Sequence, residues 1–285
     1  YNTQQGTTFD GTDSRVTPMA AVELRYPMQR TTAGGVAHLL EPVAQLAWSE
    51  SAGDEVPVED SAIVEFDEAN LFALDRFPGH DTREEGRRLN LGLTYTRIAP
   101  TGWSLGLTGG VVLRDRDMMQ FTQGSGLSGT QSDYLVAAHV QSSDGLMAVN
   151  RAIFDQGLDF TSNELSLAWM TDDTDLMSTF TFLEADPGEG RPLDTSEWAL
   201  DASYDFTDSW EACLNWRYDF AEDEATRAEL ALSYTNECAE FAFTMARRFT
   251  NSPTLDPTTE FGLTVQLNGF GASRNGRSHD RSCMR

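Results

Sequence analysis

Lysine is absent from this 285-residue chain; all 20 basic residues are arginine. A phosphate loop of the Walker type needs its lysine, as do Schiff-base and pyridoxal enzymes, so those classes fall away. Cysteine is scarce, and the spacings of Cys213, Cys238 and Cys283 fit neither a zinc motif nor a disulfide-stapled miniature fold. His38, His80, His139 and His279 are scattered, with none four residues from another. No metal or cofactor site is therefore proposed, and no catalytic constellation is found. Positive charge is outweighed by 45 acidic residues, and a net −25 repels a nucleic-acid backbone. Long apolar runs are missing too; none approaches 18 residues, so no membrane-crossing helix is expected. Tyr1 is preceded by no Met and followed by no leader pattern. The expectation is a removed signal peptide or a larger parent chain.

What is there is strict alternation. Trp210, Ala212, Leu214, Trp216, Tyr218 and Phe220 are set against Glu211, Cys213, Asn215, Arg217 and Asp219. The same period appears in Trp198-Leu200-Ala202-Tyr204-Phe206, Leu89-Leu91-Leu93-Tyr95, Phe241-Phe243-Met245 and Phe261-Leu263-Val265-Leu267. Period 2 makes strands with one apolar and one polar face. Thirteen are expected, at 16–29, 35–48, 87–98, 103–114, 132–142, 145–153, 163–171, 175–184, 196–207, 210–220, 227–236, 239–249 and 259–269. Most run to about 9–12 residues, the length of a tilted membrane-spanning strand and nearly twice a soluble one. Short turns (30–34, 99–102, 143–144, 172–174, 208–209, 237–238) alternate with longer loops (49–86, 115–131, 154–162, 185–195, 221–226, 250–258). That asymmetry is the mark of an outer-membrane barrel with extracellular loops and periplasmic turns. Trp103, Trp169, Trp198, Phe206, Trp210 and Phe220 near strand ends suit interfacial girdles. Glu23, Arg25, Glu41, Arg88, Asp201, Arg217, Glu229 and Arg247 on polar faces suit a wet or plugged lumen.

The fold class expected is thus all-β, an antiparallel transmembrane barrel. First and last strands both run toward the periplasm, so the count is odd. Bacterial single-chain barrels have even counts and no free edge. The expectation is a C-terminal part of a larger barrel that does not fold stably alone. Residues 1–15 would be an extracellular loop remnant, 16–270 the barrel and 271–285 a periplasmic tail.

Particular residues carry a resemblance. Leu40-Glu41-Pro42-Val43-Ala44-Gln45, Glu59-Asp60-Ser61, Glu65-Phe66-Asp67-Glu68-Ala69-Asn70-Leu71-Phe72 and Arg76-Phe77-Pro78-Gly79 form one set. Asn236-Glu237-Cys238, Arg247-Arg248-Phe249-Thr250 and Pro257-Thr258-Thr259-Glu260-Phe261-Gly262-Leu263 form another. In order and spacing, over residues 16–270, they resemble the LptD family of lipopolysaccharide-assembly proteins of the Gram-negative outer membrane. The resemblance implies a barrel of about 26 strands behind a periplasmic β-jellyroll, with this chain as its C-terminal half. It implies a plug lipoprotein, LptE, a jellyroll bridge, LptA, and assembly by the barrel-assembly machinery. Lipopolysaccharide would leave through a lateral gate between first and last strands. The last strand, with Phe261, Gly262, Leu263, Val265 and Leu267, would be one lip, the other lying outside this sequence. The family transports and is not an enzyme. Glu260, Gly262, Val265 and Leu267 resemble the terminal-strand signal for barrel assembly; an ordinary edge strand is the alternative.

The resemblance also gives Cys238 a disulfide with the N-terminal periplasmic domain. A direct Cys213–Cys238 bridge is unfavourable, because an intervening strand separates them by at least about 9.6 Å against a limit of about 7 Å. Cys213 is either an inert thiol or a partner of Cys283, which could reach either cysteine. Loop 49–86 holds eleven acidic residues between Glu50 and Glu84. A solvated loop over the barrel mouth is expected, with divalent cation binding as the alternative. Asp115/Asp117 and Asp172/Asp173/Asp175 are taken as turns. Gly124-Ser125-Gly126-Leu127-Ser128-Gly129 lacks the spacing and context of a nucleophile elbow. Pro18 and Pro27 in the first strand are expected to mark a bulge. A passive porin and a soluble acidic β-rich binding protein remain the competing functions; a porin would have no separate upstream jellyroll.

Overall fold

The computed structural model describes residues 2–3, 11–12, 14–61, 63–250 and 256–267. Tyr1, part of the 1–15 segment, and Asn268–Arg285 with Cys283 lie outside them. Fourteen strands form one antiparallel sheet in chain order. They are β1 (Met19–Arg25), β2 (Met28–Thr31), β3 (Ala37–Ser49), β4 (Gly86–Ile98), β5 (Ser104–Arg114), β6 (Tyr134–Gln141) and β7 (Leu146–Phe154). Then follow β8 (Phe160–Met170), β9 (Thr174–Leu183), β10 (Thr195–Thr207), β11 (Trp210–Asp219), β12 (Glu224–Thr235), β13 (Ala239–Arg248) and β14 (Thr258–Leu267). Two short ladders, Asn2–Thr3 with Gly11–Thr12 and Arg15–Val16 with Ala52–Gly53, stand apart from it. Among the described residues there is no α-helix, only a 3-10 turn at Pro187–Glu189.

Thirteen expected strands became fourteen because the first is divided. β1 and β2 pair with β3 in one unbroken register, Arg25 opposite Val43 and Met28 opposite Leu40. No residue is inserted, so the expected bulge is not there. The gap arises because Tyr26 donates to the Pro42 carbonyl at 3.2 Å while Pro42 has no N–H to return. The next position, Pro27, turns its missing donor away from β3, where a strand edge tolerates it. Two expected long loops are also shorter: β8 begins at Phe160 and β12 at Glu224, leaving only 155–159 and 220–223 between strands. The β12 extension follows a register shift between Arg217 and Tyr218.

The chain divides into two compact units. One comprises Tyr1–Gln141, Val149–Glu164 and Phe182–Asp194; the other Ser142–Ala148, Leu165–Thr181 and Thr195–Arg285. In the first unit the polar face of the sheet is dry beneath the 50–85 segment. Gln45, Ala47, Ser49, Arg88, Asn90, Val112 and Leu135 are buried, whereas Val22, Leu24, Leu46 and Val136 on the opposite face are exposed. Burial comes from the 50–85 segment, whose Val64, Phe66, Leu71 and Phe77 pack with Val112, Leu127, Leu135 and Ile153 into one core. The acidic loop is therefore a folded cap with an apolar underside, not a solvated excursion. Many of its acids serve as turn acceptors. Asp67 takes the N–H groups of Ala69 and Asn70, Asp81 those of Glu59 and Asp60, and Asp75 those of Phe77 and Glu84. Among the described residues, no group of three His, Cys, Asp or Glu side chains is placed to hold a metal ion.

In the second unit the apolar side chains form exposed cross-strand files. Leu214 stands opposite Leu230, Leu230 opposite Met245 and Met245 opposite Phe261. Aromatic pairs add to this face, with Trp210 and Tyr234 ring centroids 4.9 Å apart and Phe243 and Phe261 6.4 Å apart. A surface so apolar and so exposed is what a hydrocarbon environment accepts.

The seat of the cap is made by two opposed glycines, Gly92 on β4 and Gly110 on β5. A Cβ at Gly92 would lie 2.8 Å from Leu71 Cδ2 and 2.7 Å from Phe72 Cζ; one at Gly110 would collide with Leu71 Cδ2. Gly110→Val should evict Leu71 and destabilise the cap by about 1–3 kcal/mol. Hydrogen exchange should show faster opening across 63–84 with β10–β14 unchanged.

Candidate functional site: the capped inner face and the last strand

The centre of the cap is one carboxylate among three guanidiniums. Glu84 Oε2 accepts from Arg76 at 2.6 Å, and Glu84 Oε1 accepts from Arg114 at 3.1 Å with Arg88 Nε 3.6 Å away. All four side chains are at most 3% exposed. Further donors go to the irregular backbone that the sheet has to cover, while the Nε atoms of Arg76, Arg88 and Arg114 are buried without a hydrogen-bond partner. Arg76 donates to Leu71 O, Arg88 to Leu74 O and Arg114 to Leu127 O. Gln45 donates to Phe72 O at 3.0 Å and accepts from Asn90 at 2.8 Å. Asn90 Oδ1 in turn accepts from Arg76 at 3.3 Å. Burial pushes the Arg76 pKa down, with Glu84 opposing the shift and Arg88 and Arg114 adding to it.

A second loop, 115–133, is fastened beside the first. Phe121 stacks on Phe77 with centroids 5.0 Å apart, and the Arg114 guanidinium lies 4.9 Å from the Phe121 ring centre. Gly124 N–H donates to Asp186 at 2.6 Å, and Thr122 donates to Glu189 at 2.6 Å, so 184–191 clasps this loop. Burial alone would raise the Asp186 pKa. The Gly124 N–H, Thr122, the Gly188 N–H and the Arg191 charge outweigh it and hold the carboxyl below its ordinary range. Asp133 is raised by burial and by Asp155, against a hydrogen bond from Thr161. Glu184 is raised by burial and then by Asp194, Asp155, Asp133 and Asp159.

The last strand, in the second unit, is a separate candidate site. β14 pairs with β13 from Arg248–Thr258 to Ala239–Leu267, and among the described residues it has no partner on its far edge. Phe261, Leu263, Val265 and Leu267 are 52–72% exposed on the apolar face. Glu260 and Gly262 share the polar face, opposite Ala246 and Thr244. Thr244 fills the space a Cβ on Gly262 would occupy. Cys238 is exposed with a free thiol in the 236–238 turn, where its N–H donates to Asn236 Oδ1 at 2.9 Å. Cys213 is disulfide-bonded, so the inert-thiol reading of it is wrong. Its partner is not Cys238, as the intervening β12 requires.

The arginine–carboxylate cluster escaped sequence reasoning. Arg88 stood out only as a polar-face residue, and Glu84 was counted among loop acids. The usable signal was the apolar content of the acidic loop (Val56, Val64, Phe66, Leu71, Phe72, Phe77), more than a solvated loop requires.

Glu84→Gln removes the carboxylate shared by three buried guanidiniums and should destabilise the cap by about 3–5 kcal/mol. Native-state hydrogen exchange should record opening of 63–84 that is at least about a hundredfold more frequent. Glu68→Gln, removing the half-exposed pair with Arg151 at 2.9 Å, should change stability by no more than about 1 kcal/mol.

Among solved structures, the chain is similar to a triple mutant of the Rhodopseudomonas blastica porin at 13% identity and a TM-score of 0.34. The match covers 89% of this chain and 81% of that porin. A double mutant of the same porin matches at 14% identity and a TM-score of 0.33, with the same coverage. No curated protein matches the chain. Residues 1–189 match the family described as LptD: LPS transport system D. With about two thirds of its length matched, the chain belongs to the LptD family of lipopolysaccharide (LPS) transport proteins.

Proposed function

We propose that this chain is barrel wall of an outer-membrane translocon that delivers LPS to the outer leaflet through a lateral gate between first and last barrel strands, with β14 as one lip. Membership of the LPS-transport family supports the cargo and the membrane. The observation that carries the gate is β14 itself. It is laddered over ten residue pairs on one side, open on the other, and lined outward by Phe261, Leu263, Val265 and Leu267. The capped inner face of the first unit disfavours the passive-channel reading, which needs open lumen. LptE as plug, LptA as bridge and the barrel-assembly machinery as recogniser of Glu260, Gly262, Val265 and Leu267 complete the proposal. Residues 16–270 are taken as barrel wall.

Photo-crosslinking in cells tests the gate. A photoreactive residue at Leu263 or Leu267 should give LPS adducts, whereas one at Leu230, three strands in, should give about tenfold fewer. Equal labelling at all three positions would indicate bulk membrane contact and remove the gate assignment.

Cys238, exposed and free at the turn end, is proposed as the cysteine that bridges to the N-terminal periplasmic domain. Non-reducing electrophoresis of the full-length protein should show a mobility change in Cys238→Ala; unchanged mobility removes that bridge.

A further inference from the structure

We propose that the outward face of β1–β6 holds one anionic phospholipid of the turn-side leaflet, its phosphate between Arg30 and Arg97 and an acyl chain in the depression around Gly109. The inference rests on this sheet being barrel wall, and not on the gate or its cargo.

The first argument is charge. Register places Arg30, His38 and Arg97 in one cross-strand row, at the end of the sheet bounded by turns 32–36 and 99–103. Alternation turns that row to the same side as Met28, Leu93 and Leu107, which are exposed. The whole chain has 45 acidic residues against 20 basic ones. Yet no acidic residue stands on this side of β1–β6 or in the two turns. Glu23 and Glu41 belong to the other side, where both meet Arg25. Among the described residues, neither Arg30 nor Arg97 forms an ion pair. His38 between them is anchored by Tyr95, with 2.8 Å from Nδ1 to the phenol oxygen. At about 4.8 Å per strand, the two arginines stand about 10 Å apart at Cα, a span over which both guanidiniums reach one phosphate. Two cations without a counter-charge on an otherwise apolar edge fit an anionic headgroup. Trp103, two residues before the Leu105 that pairs with Arg97, is 40% exposed and suits the headgroup level.

The second argument is shape, and it is independent of charge. The same face carries an almost wholly apolar depression of about 550 Å³. Pro42, Ala44 and Gly109 lower its surface between Tyr26, Leu93 and Val136. Gly92 and Gly110 have a steric reason to be glycine, because Leu71 fills the space of a Cβ at both. Gly109 has none. A Cβ there would come no nearer than 3.7 Å to its closest neighbour, the Leu135 carbonyl oxygen. Glycine weakens a strand interior, so its use here serves the depression and not the fold. From His38 to Pro42 and Ala44 the depression lies about 13–20 Å along the strand, at 3.3 Å per residue. With strands tilted about 45°, that is about 9–14 Å in depth, inside the roughly 15 Å of hydrocarbon in one leaflet. An acyl chain whose phosphate sits at the arginines passes through it. Short turns of such barrels face the periplasm, so the lipid belongs to the periplasmic leaflet.

Photolabelling of full-length protein in phosphatidylcholine vesicles tests the site, with a diazirine on one acyl chain of either phosphatidylglycerol or phosphatidylcholine. Binding gains about fivefold per arginine near a headgroup, so phosphatidylglycerol should label Leu91 and Leu93 at least about fivefold more than phosphatidylcholine does. Leu46 and Trp48, toward the other end of the same face, should label equally with both. Arg30→Gln and Arg97→Gln combined should bring the lipid preference at Leu93 down to that at Leu46. Gly109→Leu fills the depression and should lower labelling of Leu91 and Leu93 by phosphatidylglycerol at least about fivefold. Heat-modifiable gel mobility verifies that each variant is a folded barrel; if the double variant is not, each arginine is replaced singly and scored by the fall in preference at Leu93. Equal labelling of Leu93 by both lipids, or a preference that the arginine variants do not move, overturns the site. Leu46 still reports the bilayer in that event, and the barrel-wall reading stands. Labelling at none of these positions removes both. LPS added to the vesicles should leave Leu93 labelling unchanged; its loss would make LPS the occupant and overturn the phospholipid assignment.

Discussion

Glu84 is the constraint on which the first unit depends. A sheet whose polar face is dry needs that face hydrogen-bonded throughout, and an irregular 36-residue segment needs its buried carbonyls capped. One carboxylate meets most of the first need by gathering Arg76, Arg88 and Arg114, whose Nε atoms alone stay without a hydrogen bond. The same three guanidiniums solve the second by donating to Leu71, Leu74 and Leu127. Three positive charges against one is an unfavourable balance in a low-dielectric interior. The network stands because each guanidinium also serves main-chain oxygens and because an aromatic ring, Phe121, faces Arg114. The apolar core of Val64, Phe66, Leu71 and Phe77 provides the driving force; the ionic cluster decides where that core sits.

The two units use the same alternation for different ends. In the first, the polar face is covered and the cap acids are consumed as turn acceptors. In the second, only Ala168 and Ala239 among its described hydrophobic residues are buried, so stability rests on backbone ladders and aromatic files. A sheet of that kind suits an apolar solvent, in which ladder hydrogen bonds have no competitor. The last strand is regular on the same terms: among the described residues, Phe261 to Leu267 ladder with a single strand, β13.

Strand positions were legible because period 2 is a local property. Trp210 to Phe220 or Phe261 to Leu267 declare their faces without any knowledge of neighbours. The division at Tyr26–Pro27 was half legible. The prolines were visible, but their outcome depended on Pro42 lying opposite Tyr26, a pairing no single strand encodes. The cap was not legible, because its acids dominate composition while its apolar residues lie at irregular spacing. The cluster of Arg76, Glu84, Arg88 and Arg114 joins a loop to two strands across up to 38 residues, and pairing of that kind has no local period.

The missing lysine has a structural counterpart. Each buried guanidinium here meets at least one carbonyl and lies beside the Glu84 carboxylate, in different directions from one planar group. Arg76 alone contacts Glu84, Leu71 O and Asn90. An ammonium has three donors at one point and a tighter hydration shell, so it cannot bridge a carboxylate and a carbonyl on opposite sides without leaving one orphaned. Arg88 makes the same demand, with Ser49, Leu74 O and Glu84 around one guanidinium. At these positions Arg→Lys keeps the charge and breaks the geometry. The chain's exclusive use of arginine is therefore matched, at its most buried ionic site, by a requirement that lysine does not meet.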